Sequence, residues 1–373
     1  MSKKIIQVTT LHDRYDERIY YKISKSLAKK YYIILLCADG KGDEIKNAFE
    51  ILDLGLIKKN HFFGRILLNL KIIINCFSLK GDCYHFHDPE LIFTGVLLRI
   101  FNYKVIFDSH EHIPEDILSK DRIPQKFRFI ITNIYIFLEK FLLKFYSGLI
   151  AATPYIRDHL KKINHNTIDI NNYVRLDNEI IQNINKVKNS KGYQYICYVG
   201  GIAKIRGIKQ LVQALELTRN RVVLHLAGNF SPSSFEHELK ALSGWRHVNY
   251  LGFVNKDILM SKYSNKLGII PFLNLPNNTH AQPNKMFEYM SYKLPIACSN
   301  FNLWRNIVEN NHCGKTFNPS DPGSIADTID YIIDHSEESK KMGENGYQAV
   351  ITKYNWNIEE QKLFSFYQKI LSH

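Results

Sequence analysis

No Cys-x-x-Cys pair occurs in the 373 residues, although six cysteines are present (Cys37, Cys76, Cys83, Cys197, Cys298 and Cys313). They are dispersed, mostly inside apolar runs. That excludes a disulfide-stapled framework and reads as buried thiols in a reducing compartment. The N-terminus passes from MSKK directly into a strand-forming run and lacks the form of a signal peptide. No apolar run reaches the length of a membrane span. The nearest, Phe127–Ile150, is interrupted by Asn133, Glu139, Lys140 and Lys144. A G-x-G-x-x-G fingerprint is missing, which weighs against a dinucleotide cofactor. Acidic residues are few: 36 Asp and Glu face 49 Lys and Arg, a net charge of +13. The excess favours anionic partners. The basic residues are scattered and form no nucleic-acid motif, so phosphorylated small molecules or an acidic membrane surface come ahead of nucleic acid. These absences describe a cytoplasmic protein, peripheral at most on the inner face of the cell membrane.

What is present is an alternation of strands and helices long enough for two domains. Strand patterns fall at Ile5–Thr10, Tyr32–Ala38, Phe49–Leu54, Tyr84–His87, Lys104–His110 and Leu149–Thr153. Helical patterns lie between them, at Asp16–Lys30, Gly64–Phe77, Pro89–Phe101 and Pro124–Tyr146. That order predicts a parallel sheet with helices on both faces. An Asn- and Lys-rich stretch, 173–192, reads as a linker. A second α/β run follows, with strands at Tyr195–Gly201, Val222–Gly228, Val248–Phe253, Leu267–Phe272, Leu294–Cys298 and an edge at Lys315–Phe317. The predicted organisation is 1–172 as a first domain, 193–355 as a second, and 356–373 as a closing helix.

Ligands in such sheets sit beyond the carboxyl ends of the strands. Two stretches in the second half carry the features of an anion site. In Tyr198–Gly207, YVGGIAKIRG, a strand runs through Gly200 and Gly201 into a helix, with Lys204 and Arg206 beside the turn. Glycine allows close backbone approach to an anion, and a planar guanidinium holds two oxygens at once. In Pro283–Asn300, PNKMFEYMSYKLPIACSN, a helix begins after a proline with Asn284 and Lys285 in its first turn. Glu288 follows one turn later and can accept two hydrogen bonds from neighbouring hydroxyls. Lys285, Glu288, Tyr289 and Tyr292 fall on one side, opposite Met286, Phe287 and Met290. Two anion sites on one sheet edge point to a diphosphate.

In the first half, polar clusters follow three strands. They are His12 to Arg18, with Asp16 as an N-cap; His85-Phe-His87-Asp88; and Asp108-Ser-His110-Glu111-His112. Two His-x-His pairs with carboxylates also suit a metal hydrolase, although their spacing matches no zincin site. The preferred reading makes His110 a neutral imidazole that exchanges a hydrogen bond with substrate. Phe127–Tyr146, and more weakly Gly64–Lys80, alternate cations with bulky apolar residues, as a helix on an anionic bilayer does. An ordinary core helix with a basic outer face has the same pattern.

These motifs, in this order, resemble glycosyltransferase family 4, retaining enzymes of the GT-B fold. The resemblance rests on YVGGIAKIRGIKQLVQAL, HLAGNF, YLGFV and PNKMFEYMSYKLPIACSNFNLWRNIVENNHCG, and on HDRYDERIYYKISKSLAKK, HFHDPELIFTGVLLR and VIFDSHEHIPE in the first half. It implies two Rossmann-like domains facing across a cleft, with the terminal helix, YNWNIEEQKLFSFYQKIL, crossing back to the first. It also implies transfer of a sugar from a nucleotide diphosphate to an acceptor hydroxyl, without a required metal or other cofactor. By this resemblance Glu288 holds the donor ribose, and Arg206 and Lys285 hold the phosphates. Gly200, Gly201, Asn284 and His280 line the donor site. His110 lies near the transferred sugar. Asn172 matches the asparagine that ends the first domain. His12, Asp16, Arg18, His87, Asp88 and Glu111 are acceptor-side candidates. The implied acceptor is a glycan or a lipid-linked polysaccharide precursor of the capsule, O-antigen or exopolysaccharide type.

Three departures stand out. His280 replaces the first glutamate of the E-x7-E motif, Gly201 the usual arginine and Lys293 the usual glycine. A nucleotide-sugar epimerase on the same fold, or a catalytically silent binding subunit, are the other readings.

Overall fold

The apolar runs form two parallel sheets. The computed structural model describes residues 2–46, 49–55, 62–119, 123–176, 195–254 and 266–372. The linker expected at 173–192 lies outside the described residues from 177 onward. The chain divides into two compact units, Met1–Asn172 with Trp356–His373, and Tyr173–Asn355.

Among the described residues the first unit holds eight strands: β1 (Lys4–Val8), β2 (Tyr32–Cys37), β3 (Glu44–Lys46), β4 (Phe49–Asp53), β5 (Cys83–Phe86), β6 (Lys104–Ser109), β7 (Gly148–Ala151) and β8 (Thr167–Asp169). Their order is β3-β4-β2-β1-β5-β6-β7-β8. Only β3 runs antiparallel, against β4. The central strands are buried on both faces, which is why they read as unbroken apolar runs rather than alternating ones. On one face lie α1 (Phe62–Leu79), α2 (Ile92–Ile100) and α3 (Gln125–Leu142), which share a core with Val8, Phe86 and Phe107. On the other lie a π-helix, Glu17–Ser24, and the C-terminal helix Trp356–Ser372. Their Ile19, Ile23, Leu363 and Tyr367 pack on Ile5, Ile33 and Ile106.

Two features differ from the sequence expectation. Strands β3 and β8 were not anticipated, because three residues are too few to show a strand period. The segment expected as a plain helix at Asp16–Lys30 winds as a π-helix up to Ser24, whose Oγ donates to the Ile19 carbonyl at 2.6 Å. The wider turn carries Arg18 and Lys22 into the interior.

The second unit holds β9 (Tyr195–Val199), β10 (Val223–Ala227), β11 (Val248–Gly252), β12 (Lys266–Ile270), β13 (Ile296–Ser299) and β14 (Gly314–Phe317), in the order β11-β10-β9-β12-β13-β14. All pairs are parallel. Helix α4 (Ile208–Leu217) follows β9, and α5 (Asn284–Ser291) precedes β13. In each sheet the strand order reverses beside the first strand, between β1 and β5 and between β9 and β12. Such switch points open a crevice at the carboxyl ends.

Lys293 closes α5 in the left-handed region, φ +57°. An L-residue there costs about 1–2 kcal/mol. That accounts for the glycine the resembling family carries at this place. Glycine recovers the strain but loses about 0.5–1 kcal/mol of chain entropy. The Lys293 to Glu344 pair, 3.0 Å and solvent-facing, adds little. Lys293→Gly is therefore expected to stabilise the unit by roughly 0.5 kcal/mol, read as a raised urea midpoint at unchanged slope.

Candidate functional site

At the switch point of the second unit, β9 ends in Gly200 and Gly201, and the chain passes through a short turn, Lys204–Arg206, to Gly207 and α4. Gly207 (φ +67°) has no room for a side chain: a Cβ would sit 1.7 Å from the Pro271 carbonyl oxygen. This contact presses the Arg206 turn against the end of β12. Asn278, buried, donates to the carbonyls of Ile205 (3.1 Å) and Leu273 (2.9 Å), which fastens the loop after β12 to the same turn. The Arg206 guanidinium lies over the Phe272 ring at 4.1 Å. The Lys285 ammonium, from the first turn of α5, lies 5.1 Å from that ring and 3.8 Å from the ring of Tyr198. Two cations thus share one aromatic floor.

Burial, and then the nearby Arg206 charge, pull the Lys285 ammonium well below its usual range, with Glu288 opposing. Two like charges gathered in a half-buried place relax when an anion arrives between them. Glu288 sits one turn along α5, half-buried. Asn284 is exposed at the start of α5, and His280 ends the short helix Pro276–Thr279.

Several readings of these residues need correction. Tyr289 and Tyr292, assigned to the polar side of α5, are buried. The phenol oxygen of Tyr289 accepts the Val199 N–H at 3.1 Å, so it anchors α5 to the glycine turn from beneath. The Gly200 N–H donates to the Ala227 carbonyl (2.9 Å) and is not turned to an anion. A Cβ on Gly200 would lie 2.9 Å from Lys285 Nζ, so this glycine makes room for the lysine. A Cβ on Gly201 would meet open space. Lys204 turns away to Glu238, at 2.7 Å.

The first unit gathers its histidines at the β1/β5 switch point around Asp108. Arg18 clasps this carboxylate with two bonds, Nε to Oδ2 at 2.9 Å and Nη2 to Oδ1 at 2.7 Å. Burial alone would raise the carboxyl, but Arg18, with His110 and His87, holds it well below the usual range. His110 Nε2 lies 3.2 Å from Asp108 Oδ2 and 3.3 Å from His87 Nδ1. His87 Nε2 meets Gln7 Oε1 at 3.0 Å, and His85 Nδ1 meets the Tyr367 hydroxyl at 2.7 Å. Burial lowers the affinity of both His85 and His87 for a proton. His110 keeps partial access to solvent. The His12 ring lies beside it, with centroids 4.7 Å apart. Burial opposes protonation of His12, but Asp16 (3.5 Å) and Asp88 (3.5 Å) outweigh it and raise its pKa.

Of the six acceptor-side candidates, three are corrected by this geometry. Arg18, His87 and Asp88 are buried. Asp88 Oδ2 accepts Thr9 Oγ1 (2.9 Å) and the Thr10 amide (2.6 Å). These three shape the crevice from inside and do not face it. Asp16 caps the π-helix through the amides of Arg18 (2.8 Å) and Ile19 (2.9 Å). His12 and Glu111 reach solvent. His85, His87 and Asp108 have atoms close enough for one metal ion, yet both Asp108 oxygens accept from Arg18 and His85 Nδ1 is engaged by Tyr367. Hydrogen bonds thus engage the carboxylate and one nitrogen of His85, while His85 Nε2 is buried without a hydrogen-bond partner. Gln7, Asn278, Phe272 and Tyr367 were not anticipated. The polar Gln7 inside the run Ile5-Ile6-Gln7-Val8 was the one available signal among them.

The architecture is that of the GT-B glycosyltransferases, and residues 179–349 match the family model described as glycosyl transferases group 1. The chain is 27% identical over 177 residues to the uncharacterized glycosyltransferase MJ1607 of Methanocaldococcus jannaschii, covering 46% of this chain and 44% of the relative. It is 25% identical to an alpha-D-kanosaminyltransferase of Streptomyces kanamyceticus, over 47% of this chain and 45% of the relative. It is 24% identical to the capsular polysaccharide biosynthesis glycosyltransferase CapM of Staphylococcus aureus, over 47% and 46%. The matches thus span just under half the length of these curated relatives. In fold the chain is similar to a sucrose-phosphate synthase of Thermosynechococcus elongatus (TM-score 0.78, 16% identity, 99% of both chains). It is likewise similar to Anabaena HepE, solved in complex with UDP and glucose (TM-score 0.71, 15% identity, 98% of this chain and all of the other).

Proposed function

We propose that the protein is a retaining glycosyltransferase of family 4. It would take a sugar from a nucleotide diphosphate donor to a hydroxyl of a lipid-linked polysaccharide precursor. The observation that carries this reading is the pairing of Arg206 and Lys285 over Phe272, with Glu288 one helical turn away.

Breaking a glycosyl–phosphate bond leaves negative charge on the β-phosphate. Preorganised cations stabilise that charge as it develops, without reorganising at the moment of reaction. Arg206 and Lys285 serve this role and take the part a divalent metal plays elsewhere, so no metal is required. Glu288 accepts from the ribose hydroxyls. Retention follows from attack on the same face, with the departing phosphate taking the acceptor proton. His110, held by Asp108, orients on the acceptor side.

Calorimetric titration with UDP, GDP, ADP and CMP, with and without chelator, tests the donor site. One nucleotide is expected to bind at micromolar concentration, unaffected by chelator. Binding of none would remove the enzyme reading in favour of a silent subunit. Conversion of the sugar nucleotide with no acceptor present would make the protein an epimerase.

Access to a lipid-linked acceptor is supported by one face of the first unit. Phe129, Ile130, Ile134 and Phe137 on α3 are more than half exposed. The acidic residue of this helix, Glu139, is buried against His159 at 2.7 Å, while Lys126 and Lys140 remain. Among the described residues no helix is long and apolar enough to cross a membrane. The protein would therefore lie on the bilayer. It is expected to co-sediment with vesicles rich in phosphatidylglycerol and not with neutral ones, and to be released by salt. Equal binding to both would remove the electrostatic part of this reading.

A further inference from the structure

Between α1 and α2 runs a groove of about 570 Å³, within the range of small-molecule sites. Ile66, Leu70, Ile73, Phe93 and Leu97 line its length, with Asn69 and Thr94 between them, the Thr94 hydroxyl donating to Asn69 Oδ1 at 3.2 Å. Its polar end holds Arg65 and Glu90, paired at 3.4 Å. From Glu90 a continuous set of contacts leads to the histidines. Thr10 Oγ1 lies 2.6 Å from Glu90 Oε1 and 3.2 Å from Asp88 Oδ2. Asp88 Oδ1 lies 3.5 Å from His12, whose ring lies against His110. The groove is thus mainly apolar along its walls and ends in an ion pair beside the histidine crevice of the first unit. Phe63, Leu67, Ile74 and Phe93 stand exposed around it, a larger apolar surface than a solvated face needs.

We infer that this groove seats the hydrocarbon chain of a prenyl-phosphate-linked acceptor, with the phosphate at Arg65 and the glycan directed to His110. The inference rests on the glycosyltransferase reading and names its acceptor subsite. The apolar side chains offer a chain burial, and the two polar ones, Asn69 and Thr94, bond to each other and demand no hydrogen bond from it. At one end Arg65, half-exposed and paired with Glu90 at 3.4 Å, can turn its planar fork from that carboxylate to a phosphate. A single groove between two helices takes a single chain, which favours a prenyl phosphate over a two-chain glycerolipid. Helices α1 and α3 pack on the same core and both carry exposed apolar residues, suited to the bilayer from which such a chain would come.

The test is calorimetric titration of the full chain with farnesyl phosphate, farnesol and inorganic phosphate. Leu70→Trp fills the groove while keeping the face apolar, and Arg65→Ala removes the head-group contact. Farnesyl phosphate is expected to bind more tightly than either control. Each variant is expected to weaken it roughly tenfold, the equivalent of about two buried methylenes or one charge-assisted hydrogen bond. Nucleotide binding serves as the reference, since it belongs to the other unit and should not change. Unaltered farnesyl phosphate affinity in Leu70→Trp would overturn the assignment. So would inorganic phosphate binding as tightly as farnesyl phosphate, or a dimer of the chain that Leu70→Trp disperses, because a second copy would then be the occupant. Nucleotide binding without farnesyl phosphate binding removes the groove assignment and leaves the donor site standing. The reverse result removes the glycosyltransferase reading and leaves only a lipid site.

Discussion

Arg206→Ala is expected to lower the rate of sugar transfer by about 10²–10³-fold, the range seen when one preorganised donor to a developing negative charge is removed. Nucleotide diphosphate affinity should fall with it, while the nucleoside monophosphate loses less. The guanidinium lies over the Phe272 ring at 4.1 Å, a contact that restrains it before any ligand arrives. Lysine keeps the charge but neither the planar stacking nor the bidentate geometry. Arg206→Lys should therefore recover only part of the rate. The fold is expected to tolerate the change, because Gly207 against Pro271 and the Asn278 hydrogen bonds also fasten the turn. Steady-state turnover, with circular dichroism as the control for folding, measures the effect. Turnover at the wild-type rate in Arg206→Ala would remove the donor-phosphate role and with it the main support for the enzyme reading.

How far the sequence disclosed this site depends on where each residue stands. The meeting of Arg206 and Lys285 over one ring was foreshadowed by their offsets from helix starts at strand ends, a local signal. The sheets were legible for the same reason, since central parallel strands declare themselves as unbroken apolar runs. What was hidden is what two distant segments do to each other. Nothing near Tyr367 in the chain indicates that its hydroxyl meets His85, 282 residues away, at 2.7 Å. Nothing near Asn278 indicates that it fastens the Arg206 turn. Tyr289 was placed on the polar side of α5 because a phenol can face either way. Burial beneath Val199, whose N–H it accepts, decided the matter. Arg18, His87 and Asp88 have the residue types of a polar binding surface and read as one. Their partners Asp108, Gln7 and Thr9 turn them inward instead. The same residue types serve to bind a ligand or to hold the wall behind it, and only packing tells the two apart.

Asp108→Asn is expected to destabilise the first unit by about 3–5 kcal/mol, because it leaves the buried Arg18 charge without its counter-ion. Both groups are almost wholly buried, 4% exposed for the arginine and 0% for the aspartate, so water cannot replace the lost partner. The effect has a defined pH signature. The folded carboxyl titrates well below its unfolded value of about 3.9, so its stabilisation is present above that pH and fades as the pH falls below it. Urea denaturation should therefore show the wild type and Asp108→Asn far apart at neutral pH and converging below about pH 4. The double variant Arg18→Met with Asp108→Asn removes both charges and should regain much of the loss, since an apolar side chain of similar length can replace a buried ion pair at little cost. Nucleotide binding by the second unit should survive the single change, which separates a local loss from collapse of the whole chain. A second consequence follows for His110. Its Nε2 lies 3.2 Å from the Asp108 carboxylate. In Asp108→Asn an amide takes the place of that carboxylate, and one acceptor oxygen becomes an N–H donor. The imidazole then meets a different partner and turns or re-tautomerises. Transfer should slow even under conditions where the variant is fully folded. A variant with wild-type stability would show that Arg18 finds another counter-ion. A variant that is destabilised but fully active when folded would confine Asp108 to holding the sheet and leave His110 to position itself.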